Sequence, residues 1–299
     1  MKRPFAFARA PQSMMLIPLA PVLAVQAWRT VRRTPRLDPA AGDEHGFVPG
    51  PNPGTGRPAY RVVVIGESTA VGVGASRHAE ALPGFLAEAL RDRLRRSVAW
   101  SVSGESGATA RRITGGLVPP AGGSAPGLAS DLEPDLVVVT AGINDLIRRR
   151  PLRRWAADAA GLVGVLRGRY PQATVLVAGM PPVHRFPAVP QPLRYLLGAR
   201  ARTMDRIMRD AARAGGAVHA PMDEAMARDR GLFASDGFHP SPAGYRAWAR
   251  DLARAAAPAA VPPAAPPAVP PAAGPPPARA RPAASTSTPP AGTAPPRKN

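Results

Sequence analysis

Four short apolar runs limit what this chain can fold into more than any other feature. Arg61 to Gly66, Val98 to Ser103, Leu136 to Ala141 and Thr174 to Ala178 are rich in Val and other apolar residues. Largely continuous apolar runs of this length fit strands buried on both faces. Amphipathic stretches lie between and after them. Ala79 to Arg96 places Leu82, Leu86, Leu90 and Leu94 four residues apart, on one helical face. Helices also fit Leu152 to Tyr170, Leu193 to Ala214 and a last segment after Pro242 that carries Tyr245 and Trp248, with a short strand near Val218. Apolar strands alternating with such helices predict an α/β fold: a single doubly wound, flavodoxin-like parallel sheet in three α/β/α layers. In these sheets ligands bind beyond the carboxyl ends of the strands, so the residues that follow each run are where chemistry is expected.

The ends of the chain read differently. Lys2, Arg3 and Arg9 precede an apolar run from Met14 to Trp28, and Arg29, Arg32, Arg33 and Arg36 follow it. Residues 1–36 therefore form a basic, apolar N-terminal segment with the look of a signal or anchor. The run is shorter than a span of about 20 residues and contains Pro18 and Pro21, so an arm packed on the domain is an equal alternative. Residues 37–59, rich in Gly and Pro, read as a linker. Residues 60–255 are the predicted folded domain. Residues 256–299, mostly Pro, Ala, Ser and Thr, have too little apolar area to offset chain entropy and read as a disordered tail.

The formal net charge of +19 comes almost wholly from Arg, which suits anionic lipid or envelope polymers as well as nucleic acid. No zinc-finger, RNP or basic-zipper pattern accompanies it and aromatics are sparse, so a nucleic-acid partner is not expected. The absence of Cys excludes a disulfide framework and a thiolate metal site. Membrane or envelope association through the N-terminal segment, or export by it, is one expectation and a cytoplasmic location the other. A monomer is expected.

Four blocks carry candidate chemistry. The first run ends in Gly66-Glu67-Ser68, which holds a serine on a tight strand-to-helix turn. The glycines that follow invite a nucleotide-loop reading, but no Gly-Lys-Ser/Thr ending is present, and Arg77 stands where a dinucleotide fingerprint needs a third Gly or Ala. After the second run comes Ser103-Gly104-Glu105-Ser106-Gly107, whose glycines let backbone N–H groups approach a substrate. The third gives Gly142-Ile143-Asn144-Asp145. Asn144 supplies a neutral side-chain N–H donor suited to an oxyanion, and Asp145 a cap or a supporting acceptor. The fourth is Asp236-Gly237-Phe238-His239. Here Asp236 can accept the imidazole Nδ1 proton and leave Nε2 free to take a proton from a serine. His78, His184 and His219 lack a comparable partner spacing and read as structural.

Taken together, the blocks resemble the SGNH (GDSL-like) hydrolase superfamily, whose Ser, Gly, Asn and His follow successive strands in this order. The resemblance spans Arg61 to about Ala255. It implies Ser68 as nucleophile, His239 as base oriented by Asp236, and an oxyanion hole of the Ser68 N–H, the Gly107 N–H and the Asn144 side chain. It also implies an acyl-serine route for a small-molecule, lipid or sugar ester or a thioester, with no metal or organic cofactor. One departure stands out: Glu67 occupies a place where the family usually has Asp. The loop Met180-Pro181-Pro182-Val183 and its apolar continuation through Phe186, Val189 and Leu193 are expected to shape an acyl pocket. Two other readings remain open at this point, a non-catalytic envelope-binding protein on the same fold and a nucleotide-binding α/β module.

Overall fold

The computed structural model describes residues 19–51, 58–119 and 133–256. All of them fall in the first of two compact units, Met1–Val261; the second, Pro262–Asn299, lies outside the described residues, as do the start of the N-terminal segment and nearly all of the expected tail.

The elements are α1 (Ala20–Arg33), β1 (His45–Val48), β2 (Tyr60–Gly66), α2 (Leu82–Leu94), β3 (Val98–Gly104), α3 (Ala110–Gly116), β4 (Leu136–Thr140), α4 (Ile143–Ile147), α5 (Leu152–Arg169), β5 (Thr174–Ala178), α6 (Leu193–Ala214), β6 (Val218–Ala220) and α7 (Pro242–Ala256). The six strands form one sheet in the order β1-β3-β2-β4-β5-β6, parallel throughout except for β1. Side-chain alternation along each strand builds two cores. Val63, Ile65, Val137, Val139, Val175 and Val177 face a layer made with α3, α5 and α6, while Val62, Val64, Leu136, Val138 and Leu176 face one made with α2 and α7. Apolar residues on both faces are what such a three-layer sheet requires.

The expected strands and long helices match these elements to within a few residues. The segment 37–59 contains more than a connection, because His45–Val48 pairs antiparallel with β3 as an edge strand. Its register sets Gly46 beside Trp100, whose ring lies where a Cβ at position 46 would stand, 2.5 Å away. Four residues are too few to show a period, which is why composition alone reads this stretch as a linker. Helices α1, α3 and α4 lie outside the expected set; α3 and α4 have only seven and five residues and follow strand ends.

The chain leaves β2 for β3 on one side and later returns to β4 on the other. The crevice beyond the ends of β2 and β4 is therefore the switch point of the sheet. From the end of the domain's sequence, α7 braces it: the buried Tyr245 hydroxyl donates to the Val73 carbonyl at 2.7 Å, in the loop that follows Ser68. Tyr245→Phe should leave that carbonyl without its partner and lower stability by about 1–3 kcal/mol, read as a lower urea midpoint with an unchanged m-value.

Candidate active site

Gly66, the last residue of β2, lies opposite Thr140 of β4. A Cβ there would stand 2.3 Å from the Thr140 carbonyl, so a glycine is needed for the two strand ends to meet. The Glu67 N–H then donates to the same carbonyl at 3.2 Å, and the chain turns so tightly that the N–H groups of Ala70 and Val71 both reach the Glu67 carbonyl. Ser68 is carried on this turn.

His239 reaches Ser68 across 171 positions of sequence, with Nε2 3.0 Å from the serine Oγ. Its loop is folded by Asp236. One carboxylate oxygen accepts the N–H groups of Phe238 (2.9 Å) and His239 (3.0 Å), and the other lies 2.6 Å from His239 Nδ1. An ionised carboxylate can only accept, so the imidazole proton sits on Nδ1 and Nε2 is bare toward the hydroxyl. Burial alone raises the Asp236 pKa, but the hydrogen bonds from the His239 ring and from the two backbone N–H groups outweigh it and hold the carboxyl below its ordinary range. The three residues expected from sequence as Ser, Asp and His of a relay are therefore in contact.

Asn144 and Gly107 are close by, with contacts the spacing did not reveal. Asn144 stands in the first turn of α4, after Gly142 at φ +117. Its amide donates to Glu67 Oε2 at 2.7 Å and to the Ala108 carbonyl at 3.0 Å, which uses both of its protons. The N–H groups of Ile143 and Asn144 also face the Glu67 carboxylate at 3.4 Å. Gly107, at φ +84, accepts from Arg148 through its carbonyl. Among the described residues no acceptor takes the N–H of Ser68 or of Gly107. Asp145 is a supporting acceptor, bound by the Ala110 N–H at 2.9 Å at the start of α3.

Burial dominates the electrostatics of Glu67. It pushes the carboxyl up to about 7, against the pull of the Asn144 and Ile143 N–H groups, and the nearby Asp145 adds to the rise. The sign for stability follows from linkage. The folded pKa lies above the ordinary 4.5, so ionising Glu67 favours the unfolded chain; the penalty is absent below about pH 4.5, grows up to about pH 7 and is constant beyond. Its full size is about 3 kcal/mol. Glu67→Gln should flatten the fall in stability between these pH values, measured as the urea midpoint at several pH values. A curve parallel to that of the native protein would show that Glu67 is not the titrating group.

Ser68 and His239 open onto an apolar cavity of about 70 Å³ whose walls include Pro181, Pro182, Phe186, Phe233, Phe238 and Trp248. Phe186 sits edge-on to Phe233 and Phe238, with ring centroids 5.6 and 5.0 Å away. The expected acyl-pocket loop is thus half right. Pro181, Pro182 and Phe186 line the cavity, whereas Val189 and Leu193 are buried in the core behind it and Met180 turns away. The remaining walls come from the strand ends, at Glu67, Thr140, Ala141, Ile143, Ala178 and Gly179, and from residues 222–248. Asp205 of α6 was also unforeseen: it accepts the Met180 N–H at 2.8 Å and pairs with His219 at 3.0 Å, which supports the loop from beneath. His219 thus does have a carboxylate partner, brought to it by tertiary packing.

The glycines after Ser68 do not form a phosphate cradle. A Cβ at Gly74 would meet the Pro240 carbonyl at 2.4 Å, and one at Gly72 would meet the Cβ atoms of Ala81 and Ala40. Both glycines let the serine loop pack on the rest of the domain, Gly74 against the histidine loop. Among the described residues no group of three or more His, Cys, Asp or Glu side chains is placed to hold a metal ion.

Residues 64–247 match the GDSL-like lipase/acylhydrolase family, a stretch that includes all four blocks. The chain belongs to this family. Over 203 residues it is 30% identical to the GDSL-like esterase Rv1075c of Mycobacterium tuberculosis, an alignment that takes in 64% of this chain and 59% of that one. The chain therefore matches less than two thirds of that relative's length. Solved structures that share the fold include the following two. One is a carbohydrate esterase family 2 enzyme with a carbohydrate-binding domain from Corynascus thermopiles (Myceliophthora fergusii), at TM-score 0.51 and 18% identity over 67% of each chain. The other is TesA, at TM-score 0.51 and 20% identity, covering 66% of this chain and 98% of that one. In this GDSL-like chain the departure at Glu67 has a visible consequence. The longer carboxylate reaches across to the Asn144 amide and the two N–H groups at the start of α4.

Proposed function

We infer that this chain hydrolyses carboxylic esters through an acyl-serine intermediate. The observation that carries the reading is the continuous relay from Ser68 Oγ through the His239 ring to Asp236, opening on an apolar cavity. In the first half-reaction Ser68 Oγ bonds to the acyl carbon as its proton passes to His239 Nε2. The tetrahedral intermediate then expels the alcohol, which takes that proton. Water repeats the sequence in the second half, giving the carboxylic acid and the free serine. Asp236 stays ionised and steadies the imidazolium. The Ser68 and Gly107 N–H groups and the Asn144 amide serve as oxyanion donors, with Asn144 turning one proton from Glu67 or Ala108 toward the substrate.

The acyl group is apolar and short. A volume of about 70 Å³ holds a handful of waters and therefore a chain of only a few carbons. The relative described as a GDSL-like esterase supports ester chemistry as the reaction class.

The test is turnover of a p-nitrophenyl ester series from acetate to palmitate, with labelling of Ser68 by a fluorophosphonate. Turnover highest for the short esters, together with a label on Ser68, is the expected result. No turnover of any ester and no label would leave a binding protein on a hydrolase fold, and a preference for palmitate would overturn the assignment of the cavity.

A further inference from the structure

Helix α1 keeps one face on the domain and turns an unusual face outward. Leu23, Gln26, Ala27, Thr30 and Thr34 are the half-buried positions, at the three- and four-residue spacing of one helical side. Leu23 and Ala27 pack on the core layer of α5 and α6, and the Gln26 amide bonds to the Gln191 carbonyl and takes the Leu193 N–H at 3.1 Å. The opposite side carries Val22 (45% exposed), Val25 (46%), Trp28 (57%) and Val31 (69%). These are four of the nine large apolar side chains left open to solvent among the described residues, and Leu19, just before the helix, is a fifth. Single exposed apolar residues are ordinary; four on one short helix are not.

The charges on this helix are of one sign. Arg29, Arg32 and Arg33 lie among the apolar side chains, Arg36 follows, and α1 contains no Asp or Glu. No carboxylate among the described residues pairs with Arg29, Arg32 or Arg33; the Arg32 guanidinium lies over the Trp28 ring at 4.9 Å. Apolar side chains, an interfacial Trp and several unpaired Arg on one exposed side are complementary to a layer that is hydrocarbon beneath and anionic above. None of the described helices is long and apolar enough to cross a membrane.

We propose that the outward face of α1 docks on an anionic lipid bilayer, with the helix lying in the headgroup plane rather than across the membrane. Val22, Val25, Trp28 and Val31 enter the boundary between headgroups and acyl chains, and the arginines hold lipid phosphates. The helix borders the catalytic machinery: Arg29 and Arg33 share a groove with Ala188, Pro190, Ser235 and Asp236. Docking therefore brings the loop of His239 near the lipid surface.

The protein has a built-in reporter. Of its four tryptophans, Trp100, Trp155 and Trp248 are buried and Trp28 alone is exposed. Full-length protein mixed with phosphatidylcholine vesicles containing phosphatidylglycerol should co-sediment and show a blue shift in tryptophan emission. Pure phosphatidylcholine vesicles should give neither, and raised salt should weaken the binding. Arg29→Gln/Arg32→Gln/Arg33→Gln should lower affinity on the order of 100-fold, from a contribution of about fivefold per charge. Trp28→Ser/Val31→Ser should remove the stable association while keeping the thermal midpoint, which separates lost docking from lost folding.

Absence of binding to anionic vesicles overturns the proposal, as does equal binding to neutral ones. Undiminished binding by both variants does so too, because it places the contact elsewhere on the chain. So does a vesicle-free dimer that the Trp28/Val31 variant abolishes, since a second copy would then occupy this face. None of these readings depends on esterase activity, so failure here and failure of the hydrolase assignment are distinguishable.

Discussion

Ser68→Ala should lower kcat on a short p-nitrophenyl ester by on the order of 10³ or more, with the thermal midpoint little changed. On the proposed route the serine hydroxyl is the atom that bonds to the acyl carbon, and no neighbouring side chain replaces it. The histidine that faces it has no other hydroxyl within reach in the described structure. Removing one hydroxyl from a turn held by backbone bonds to the Glu67 carbonyl costs little in packing. His239→Ala should fall to a similar level, and the double variant should be scarcely slower than either single one, because nucleophile and base act as a unit. Near-native turnover by a folded Ser68→Ala protein would sink the assignment. Multiplying losses in the double variant would show that the two residues act independently.

Asp236→Asn should be comparably damaging, on the order of 10⁴ in kcat, although it alters a residue that on the proposed route never meets the substrate. In the native chain one Asp236 oxygen holds the loop by accepting the Phe238 and His239 N–H groups, while the other takes the imidazole proton. An Asn can keep its carbonyl on the two backbone groups, so the loop survives. Its amide then points N–H at Nδ1, which drives the ring proton to Nε2, facing Ser68. The base is present and correctly placed but in the wrong tautomer. The expected signature is a large fall in kcat with a small change in KM and a normal melting curve. A loss of less than tenfold would mean that Asp236 serves the loop and not the imidazole.

Both expectations rest on residues that were legible before any coordinates. Ser68 follows a strand that announces itself by a run of Val and Ile ending in Gly, and Asp236 and His239 are three residues apart on one loop. Local features of this kind survive in sequence because the same few residues determine both the backbone turn and the chemistry. Asn144 was legible as a polar side chain at the end of β4. What the spacing could not show is that the amide is already bonded to Glu67 and Ala108. Those contacts join residues more than 30 positions apart and depend on the packing that brings the end of β2 and the start of α3 beside α4.

The sequence by itself determined the fold class, the order of the strands along the chain, and the placement of Ser68 after a strand and of Asp236 and His239 together on one loop. Periodicity and strand-end residues encode these locally. Tertiary structure alone decided which distant side chains meet. It set His45–Val48 against β3 where Gly46 makes room for Trp100, and it paired Asp205 with His219 beneath the Met180 loop. It also gathered Phe186, Phe233, Phe238 and Trp248 from separate parts of the chain into one cavity wall. The physical reason is common to all three. A pattern of apolar and polar residues states which face of an element is buried, but the partner on that face is chosen by close packing across the sheet. That choice is made only when strands far apart in the chain come to lie side by side.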